Sequence, residues 1–420
     1  MSTVEELTFQ RDRWIKRTWC EIDLDCLKDN ITLIQSLAKK TVIGVVKANA
    51  YGHGDVMIAK ELQKAGIHQF AVSSIEEAMD LRLGGIEDDI LILGYTAVEC
   101  APVLWEYNLI QTVLGLDYAL KLNEYLTRSR RVVRCHLAVD TGMGRIGFVQ
   151  RENESCLEQL EQLKALHQLH IEGVFTHFAM ADSFQPACQA TTRTQVERFR
   201  QVVEYLKQQR EFPLRMVHCQ NSAGLTNFQV DFCNAVRAGI IMYGLDPSDD
   251  VRPDVHFHPI MSLKSTVSNV KILPAGNAVS YGGTYVTQKD TRIATIAIGY
   301  ADGYPRSLSN RADVLIRGVR CPIVGRVCMD QLMVDASAVP SVQEGDTVTL
   351  FGRDGDAILP VDELASLCGT INYELTCAMS RRVPRVYTKD GQVVRIVGYL
   401  GTYEKEEREG AEPAYVRIYR

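Results

Sequence analysis

Through the first 250 residues of this 420-residue chain, short apolar runs alternate with amphipathic stretches. The runs Val42–Val46, Gln69–Val72, Ile90–Leu93, Thr112–Leu114, Val133–Val139, Glu172–Thr176, Arg215–His218 and Asn234–Val236 read as buried strands. Leu157–Leu169 and Thr194–Gln209 are among the intervening stretches with helical periodicity. With amphipathic stretches between most of the runs, the alternation implies parallel strands joined by right-handed crossovers. Eight such units close into a (β/α)8 TIM-type barrel, giving an α/β fold for this part of the chain.

Near Phe257 the texture changes. The runs STVSNVKI, TRIATIAIG, CPIVGRVCM, DTVTLFG and GQVVRIVGYL are rich in β-branched residues and separated by Gly, Pro and Asp. Helical periodicity is scarce there apart from Val361–Cys368, so a second, mostly antiparallel β domain is expected. The organisation read from the sequence is an N-terminal extension (1–17), a barrel (18–257), a C-terminal β domain (258–400) and a charged tail (401–420) expected to be loosely held.

Composition narrows the function classes. Hydrophobic residues make up 46% of the chain, ample for a sizeable core, and the formal net charge is −6 with both signs scattered. That balance argues against nucleic acid as a partner. No apolar stretch approaches the ~20 residues a membrane helix needs, and the polar N-terminus lacks the apolar core of a secretory signal. The expected setting is therefore cytoplasmic, with no membrane partner. Twelve cysteines occur singly, with no C-x-x-C pair, and neither they nor the nine histidines show zinc-ligand spacing. Buried reduced thiols and no metal are expected; Cys135, Cys219 and Cys233 lie in apolar or strand-like contexts.

Candidate chemistry falls just after the apolar runs, where active sites of barrel enzymes lie. Lys47 sits where the apolar part of the segment VIGVVKANAYGHG ends. A lysine emerging from an apolar strand is poorly solvated, which favours the free amine needed for Schiff-base chemistry. Tyr51 can give a hydroxyl to a phosphate, and the glycines let backbone approach a ligand. Ser222, with the amides of Gly239 and Ile240, could cradle a phosphate, although turn-forming loops explain such residues equally well. Arg145, flanked by glycines in DTGMGRIG, suits bidentate binding of a carboxylate; a surface ion pair is the plain alternative. His177, Asn221 and Arg237 also follow strands.

Nine segments make the pattern specific: VKANAYGHG, DTGMGRIG, THFAMAD, QNSAG, RAGIIMYG, VSYGGTY, GYADGYPR, VGRVCMDQ and INYE. In content and order they resemble the motifs of alanine racemases, from about Thr18 to Val386. The resemblance implies a pyridoxal 5'-phosphate enzyme with a barrel and a β domain. It marks Lys47 as the residue forming the Schiff base with the cofactor. Tyr51, Asn221, Ser222, Gly239, Ile240 and Tyr373 would hold the cofactor, and Arg237 would face its pyridine nitrogen. A guanidinium never gives up its proton in this setting, so the ring nitrogen would stay unprotonated.

The same resemblance implies racemisation of L- and D-alanine by two bases, Lys47 and Tyr281, on opposite faces of the α-carbon. His177 and Arg237, with His218 behind them, would favour the Tyr281 phenolate. Arg145 and the Met329 amide would bind the substrate carboxylate. Asp182, Tyr300 and Arg326 would line the corridor to the site, with Asp330 beside them. A head-to-tail homodimer is implied, with Tyr281, Tyr300, Met329 and Asp330 completing the partner's site. Tyr373 would crowd substrates longer than alanine. Supply of D-alanine for peptidoglycan is the role implied.

One position departs from the family. Many members carry a carbamylated lysine seven residues before this arginine, and Ala138 stands there. A carbamate at that site cannot orient Arg145. The alternatives kept open are a serine or broad-specificity racemase of the same fold, a pyridoxal-phosphate decarboxylase, and a non-catalytic protein that binds the cofactor.

Overall fold

A computed structural model describes residues 17–248, 250, 252, 254–399, 401–406 and 414–418, the last two stretches by backbone alone. The chain divides into two compact units. Among the described residues, one takes those of 28–51 and 55–258, and the other those of 17–27, 52–54 and from 259 onward.

The first unit is a closed barrel. Its eight parallel strands are Thr41–Val45, Gln69–Val72, Asp89–Ile92, Ile110–Val113, Val133–Asp140, Leu169–Phe175, Met216–His218 and Ala235–Ala238. Each pairs with its chain neighbours, and Ala235–Ala238 pairs back onto Thr41–Val45 to close the ring. All eight apolar runs thus form strands, shifted by a few residues. Such strands read as continuous apolar runs because parallel sheet is covered on both faces; Ile110–Val113 is buried throughout. Helices include Asp55–Lys64, Ile75–Leu83, Leu116–Ser129 and Pro186–Lys207. The stretch expected to be helical over Leu157–Leu169 is helix only to Leu163, because Leu169 already begins the sixth strand.

The second unit is built on a large, mostly antiparallel sheet. Met261–Leu273 is its long central strand, flanked by Thr18–Asp23 and Thr347–Asp354. Thr18–Asp23 runs antiparallel to Met261–Leu273 and parallel to Arg385–Lys389. The N-terminal strand therefore belongs to this sheet, although the sequence reading placed it within the barrel segment. The helix Val361–Cys368 lies where its periodicity put it. Residues 1–16 of the expected extension lie outside the described residues. In the charged tail, Gly401–Glu406 and Ala414–Ile418 pair as antiparallel strands that extend the sheet; the remaining tail residues lie outside the described set. No helix among the described residues is long and apolar enough to cross a membrane.

Candidate active site

The barrel unit gathers most of the candidate residues at the C-terminal ends of its strands. Lys47 follows the first strand and opens an unusual turn. Ala48, Asn49, Ala50 and Tyr51 all have left-handed backbone, with φ of 51 to 53°. Side chains other than glycine pay for that conformation, so surrounding groups must hold it. The Ala50 amide donates to Val46 O at 2.8 Å. The Ala48 amide donates to Glu77 Oε1 at 2.7 Å, and Glu77 Oε2 accepts from Ser73 N, also at 2.7 Å. Glu77 is the third residue of a helix capped by Ser74, so one carboxylate joins that cap to the lysine turn.

Arg237, at the end of the eighth strand, lies at the centre of a buried polar network. Its Nη1 donates to His218 Nδ1 at 2.8 Å. Its Nη2 donates to Thr176 O at 2.9 Å and lies 3.2 Å from both Cys219 O and His177 Nδ1. Nε makes no hydrogen bond among the described residues, leaving one donor of the fork uncommitted. Burial pushes the guanidinium down to about 10, still charged near neutral pH. Burial first, then the Arg237 charge, holds His177 and His218 well below the usual imidazole range. Both rings are neutral, and Asn221 Nδ2 lies 3.4 Å from His177 Nε2.

Beside this network, Gly239 N donates to Ser222 Oγ at 3.0 Å. A Cβ at Gly239 would lie 2.9 Å from Tyr51 Oη and 3.4 Å from Ser222 Oγ. The glycine therefore leaves open a space ringed by two hydroxyls. Ile240 begins the short 3-10 helix that follows. Asn221 caps the helix Ser222–Asn227, its Oδ1 accepting from Gly224 N at 2.9 Å.

Arg145 is exposed, and its side chain makes no hydrogen bond or ion pair among the described residues. Its loop, by contrast, is firmly held. Asp140 Oδ1 accepts from the amides of Gly142 and Gly144, each at 3.0 Å. Gln195, fully buried, donates to Thr141 Oγ1 and to His177 O, and accepts from Ala179 N at 2.9 Å. Ala138 is buried in the fifth strand and offers no polar group to Arg145. Asp182 contributes its carbonyl to Ser248.

Tyr281, Tyr300, Arg326, Met329, Asp330 and Tyr373 belong to the second unit. Tyr281 is 71% exposed in a 3-10 turn, and it lines an open groove with Ser280, Cys328, Met329 and Asp330. Ser280, at φ 65°, is tied by its hydroxyl to Arg326 O at 2.7 Å. The Met329 amide has no acceptor among the described residues, whereas its carbonyl accepts from Ala301 N. The Tyr300 turn is staked by Asp302, which is fully buried, accepts from Gly299 N, and pairs with Arg17 and Arg382. Arg382 also pairs with Asp330 at 2.8 Å. Tyr373 sits in the helix Asn372–Cys377. Among the described residues no cluster of His, Cys, Asp or Glu could hold a metal ion, and the twelve cysteines are unbridged.

Sequence reasoning missed Glu77, Asp302 and Gln195. For Gln195 a signal existed: it lies four residues before Phe199, on the face that Val202, Val203 and Leu206 bury. A glutamine on a buried helix face must find partners.

Comparison with known proteins identifies the family. The family profile of the alanine racemase N-terminal domain matches residues 22–247, and that of the C-terminal domain matches 260–387. The chain is 41% identical to alanine racemase 1 of Clostridium acetobutylicum over 390 residues, covering 92% of this chain and 100% of that one. With the alanine racemase of Carboxydothermus hydrogenoformans, identity is 44% over 375 residues, covering 89% and 100%. The crystal structure of alanine racemase from Bacillus anthracis with bound L-Ala-P superposes with a TM-score of 0.85 at 38% identity, covering 92% of this chain and 98% of that one. The chain belongs to the alanine racemase family.

Proposed function

We propose that this protein interconverts L- and D-alanine with pyridoxal 5'-phosphate, using Lys47 and Tyr281 as its two bases. The observation that carries the cofactor assignment is the pairing of an open, hydroxyl-ringed space at Gly239 with a buried arginine whose Nε makes no hydrogen bond among the described residues. Both fit the group: a phosphate needs donors at close range, and a pyridine nitrogen needs one fixed donor. Lys47 would anchor the cofactor through Nζ. Tyr51, Ser222, Gly239, Ile240 and Tyr373 would hold its phosphate, Asn221 would support the site, and Arg237 would donate to its ring nitrogen. When bound, the cofactor delocalises the electron pair left on the α-carbon as its proton departs.

The chain's own groups do the rest. Among the described residues the Arg145 guanidinium and the Met329 amide each lack a partner, and they suit the two oxygens of a carboxylate. Lys47 Nζ would exchange the proton on the face of the D-isomer, and Tyr281 Oη on that of the L-isomer. Burial and the Arg237 charge keep His177 and His218 neutral, so the positive charge of this network is that of Arg237. Asp182, Tyr300, Arg326 and Asp330 would border the approach. Exposed Tyr281, Tyr300 and Met329 are the kind of surface a partner covers, which supports a homodimer whose sites draw these residues from the second copy. The product would serve peptidoglycan synthesis in the cytoplasm.

The test is an enantiomer assay on purified protein supplied with the cofactor. Interconversion of alanine, lost together with cofactor absorbance in Lys47→Ala, is the expected result. Absorbance without interconversion would overturn the catalytic reading. Serine turned over as fast as alanine would replace it with the broad-specificity one.

A further inference from the structure

The residue before Tyr281 stands in backbone space that side chains avoid. Ser280 has φ 65° and ψ −176°, a combination almost confined to glycine. It opens the turn between the paired strands Ala278–Val279 and Tyr285–Val286. Elsewhere in that turn positive φ falls on glycines, Gly282 at 74° and Gly283 at 55°. A third glycine at 280 would be the relaxed choice, so the serine calls for a reason of its own.

Its side chain supplies one. Ser280 Oγ donates to Arg326 O at 2.7 Å. Among the described residues the other group reaching that carbonyl is the Cys328 thiol, a weak donor at 3.5 Å. Room for the serine comes from Gly325, where a Cβ would fall 2.7 Å from Ser280 Cβ.

The segment that accepts this bond is a firm anchor. The amides of Val324, Gly325, Val327 and Cys328 donate to Met333 O, Asn310 Oδ1, Ser309 Oγ and Gln331 O. The carbonyls of Cys328 and Met329 accept from the Tyr300 and Ala301 amides, each at 3.0 Å. The Met329 amide thus ends a fixed rail, and Ser280 ties the Tyr281 turn to the same rail. Tyr281 and Met329 line one groove, where a single hydroxyl sets how the phenol stands to the amide.

We infer that Ser280 is a positioning residue. Its tether to Arg326 O, made at the cost of a strained backbone, fixes the Tyr281 phenol relative to the Met329 amide. One can then reach the α-carbon while the other binds the carboxylate attached to it. The inference rests on the proposed function for its catalytic consequence, whereas the tether is a matter of geometry.

The experiment uses full-length holoenzyme: wild type, Ser280→Gly and Ser280→Ala. Glycine removes tether and strain together; alanine removes the tether and keeps the strain. Exchange of the α-proton with deuterated solvent is begun separately from each enantiomer of alanine. In both variants exchange from L-alanine, which needs Tyr281, should fall about ten- to a hundredfold, the scale of a displaced catalytic group. Exchange from D-alanine through Lys47 should stay within about twofold of wild type, since that base is untouched. With 3-fluorotyrosine incorporated, the Tyr281 fluorine line, assigned by its absence in Tyr281→Phe, should move in both variants. Ser280→Gly should melt above Ser280→Ala, because it sheds strain that alanine keeps. Equal loss from both enantiomers, or loss from neither, overturns the positioning role. An unmoved fluorine line overturns the tether, and glycine melting below alanine overturns the strain. If wild type exchanges neither enantiomer, the functional reading falls, and the fluorine line still decides the tether.

Discussion

At the scale of single residues, the site is organised around a charge that has left water. Arg237 has carbonyls and imidazoles around it instead of a carboxylate, so the surrounding histidines must stay neutral. That requirement has a thermodynamic signature. His136, His177 and His218 are all depressed below the imidazole range when folded, mainly by burial. The unfolded chain takes up protons on these rings as pH falls through about 6.5, while the folded chain does not. Folding stability should therefore be lost as pH drops below that value. Denaturant midpoints at pH 7.5 and 5.5 check it, with the lower midpoint expected at 5.5; equal midpoints would mean that the three rings titrate normally in the fold. Much of this residue-level picture was legible in advance, because Lys47, Arg145, His177 and Arg237 all follow apolar runs. Asp302 was not, since its worth lies in reaching Arg17 and Arg382 at distant places in the sequence.

At the scale of elements, the apolar runs located all eight barrel strands, because parallel strands buried on both faces leave an unmistakable signal. The turn after Lys47 could not be read in the same way. Ala-Asn-Ala-Tyr has no glycine to mark left-handed backbone, and the conformation is imposed by contacts such as Glu77 on the Ala48 amide. The helix Pro186–Lys207 acts at a distance too. Through Gln195 it fixes both the Thr141 loop that leads to Arg145 and the His177 strand end. With Ala138 in the fifth strand, we expect Gln195 to bear much of the burden of placing Arg145. Gln195→Leu should raise KM for alanine about tenfold and lower stability by about 1–3 kcal/mol, the cost of leaving His177 O and the Ala179 amide unpaired. Initial-rate kinetics and denaturant unfolding measure the two effects. An unchanged KM would show that Arg145 is placed by its own loop alone.

At the scale of the whole molecule, the sequence boundary near residue 257 lies beside Pro259, where the second unit resumes. The N-terminal strand escaped the reading because its partners, Met261–Leu273 and Arg385–Lys389, are hundreds of residues away. Local pattern carries no record of such pairing. Gly52–Gly54 likewise belongs to the second unit, where Arg385 Nε donates to Gly52 O and Tyr387 Oη to His53 O, each at 2.8 Å. Assembly can be tested by complementation. If sites are shared between copies, inactive Lys47→Ala and Tyr281→Phe proteins, unfolded and refolded together in equal amounts, should regain about a quarter of wild-type activity. Half the dimers would be mixed, and each of those would own one intact site. No recovery in isolated mixed dimers would place both bases in one chain.

The claim on which the account turns is that an amine and a phenol serve opposite faces of one carbon. The most direct measurement is exchange of the α-proton with deuterated solvent in Tyr281→Phe holoenzyme, begun separately from each enantiomer of alanine. The account expects exchange from L-alanine to fall by at least about a hundredfold, the usual scale of a positioned base, while washout from D-alanine through Lys47 largely persists. Equal loss from both enantiomers would contradict it.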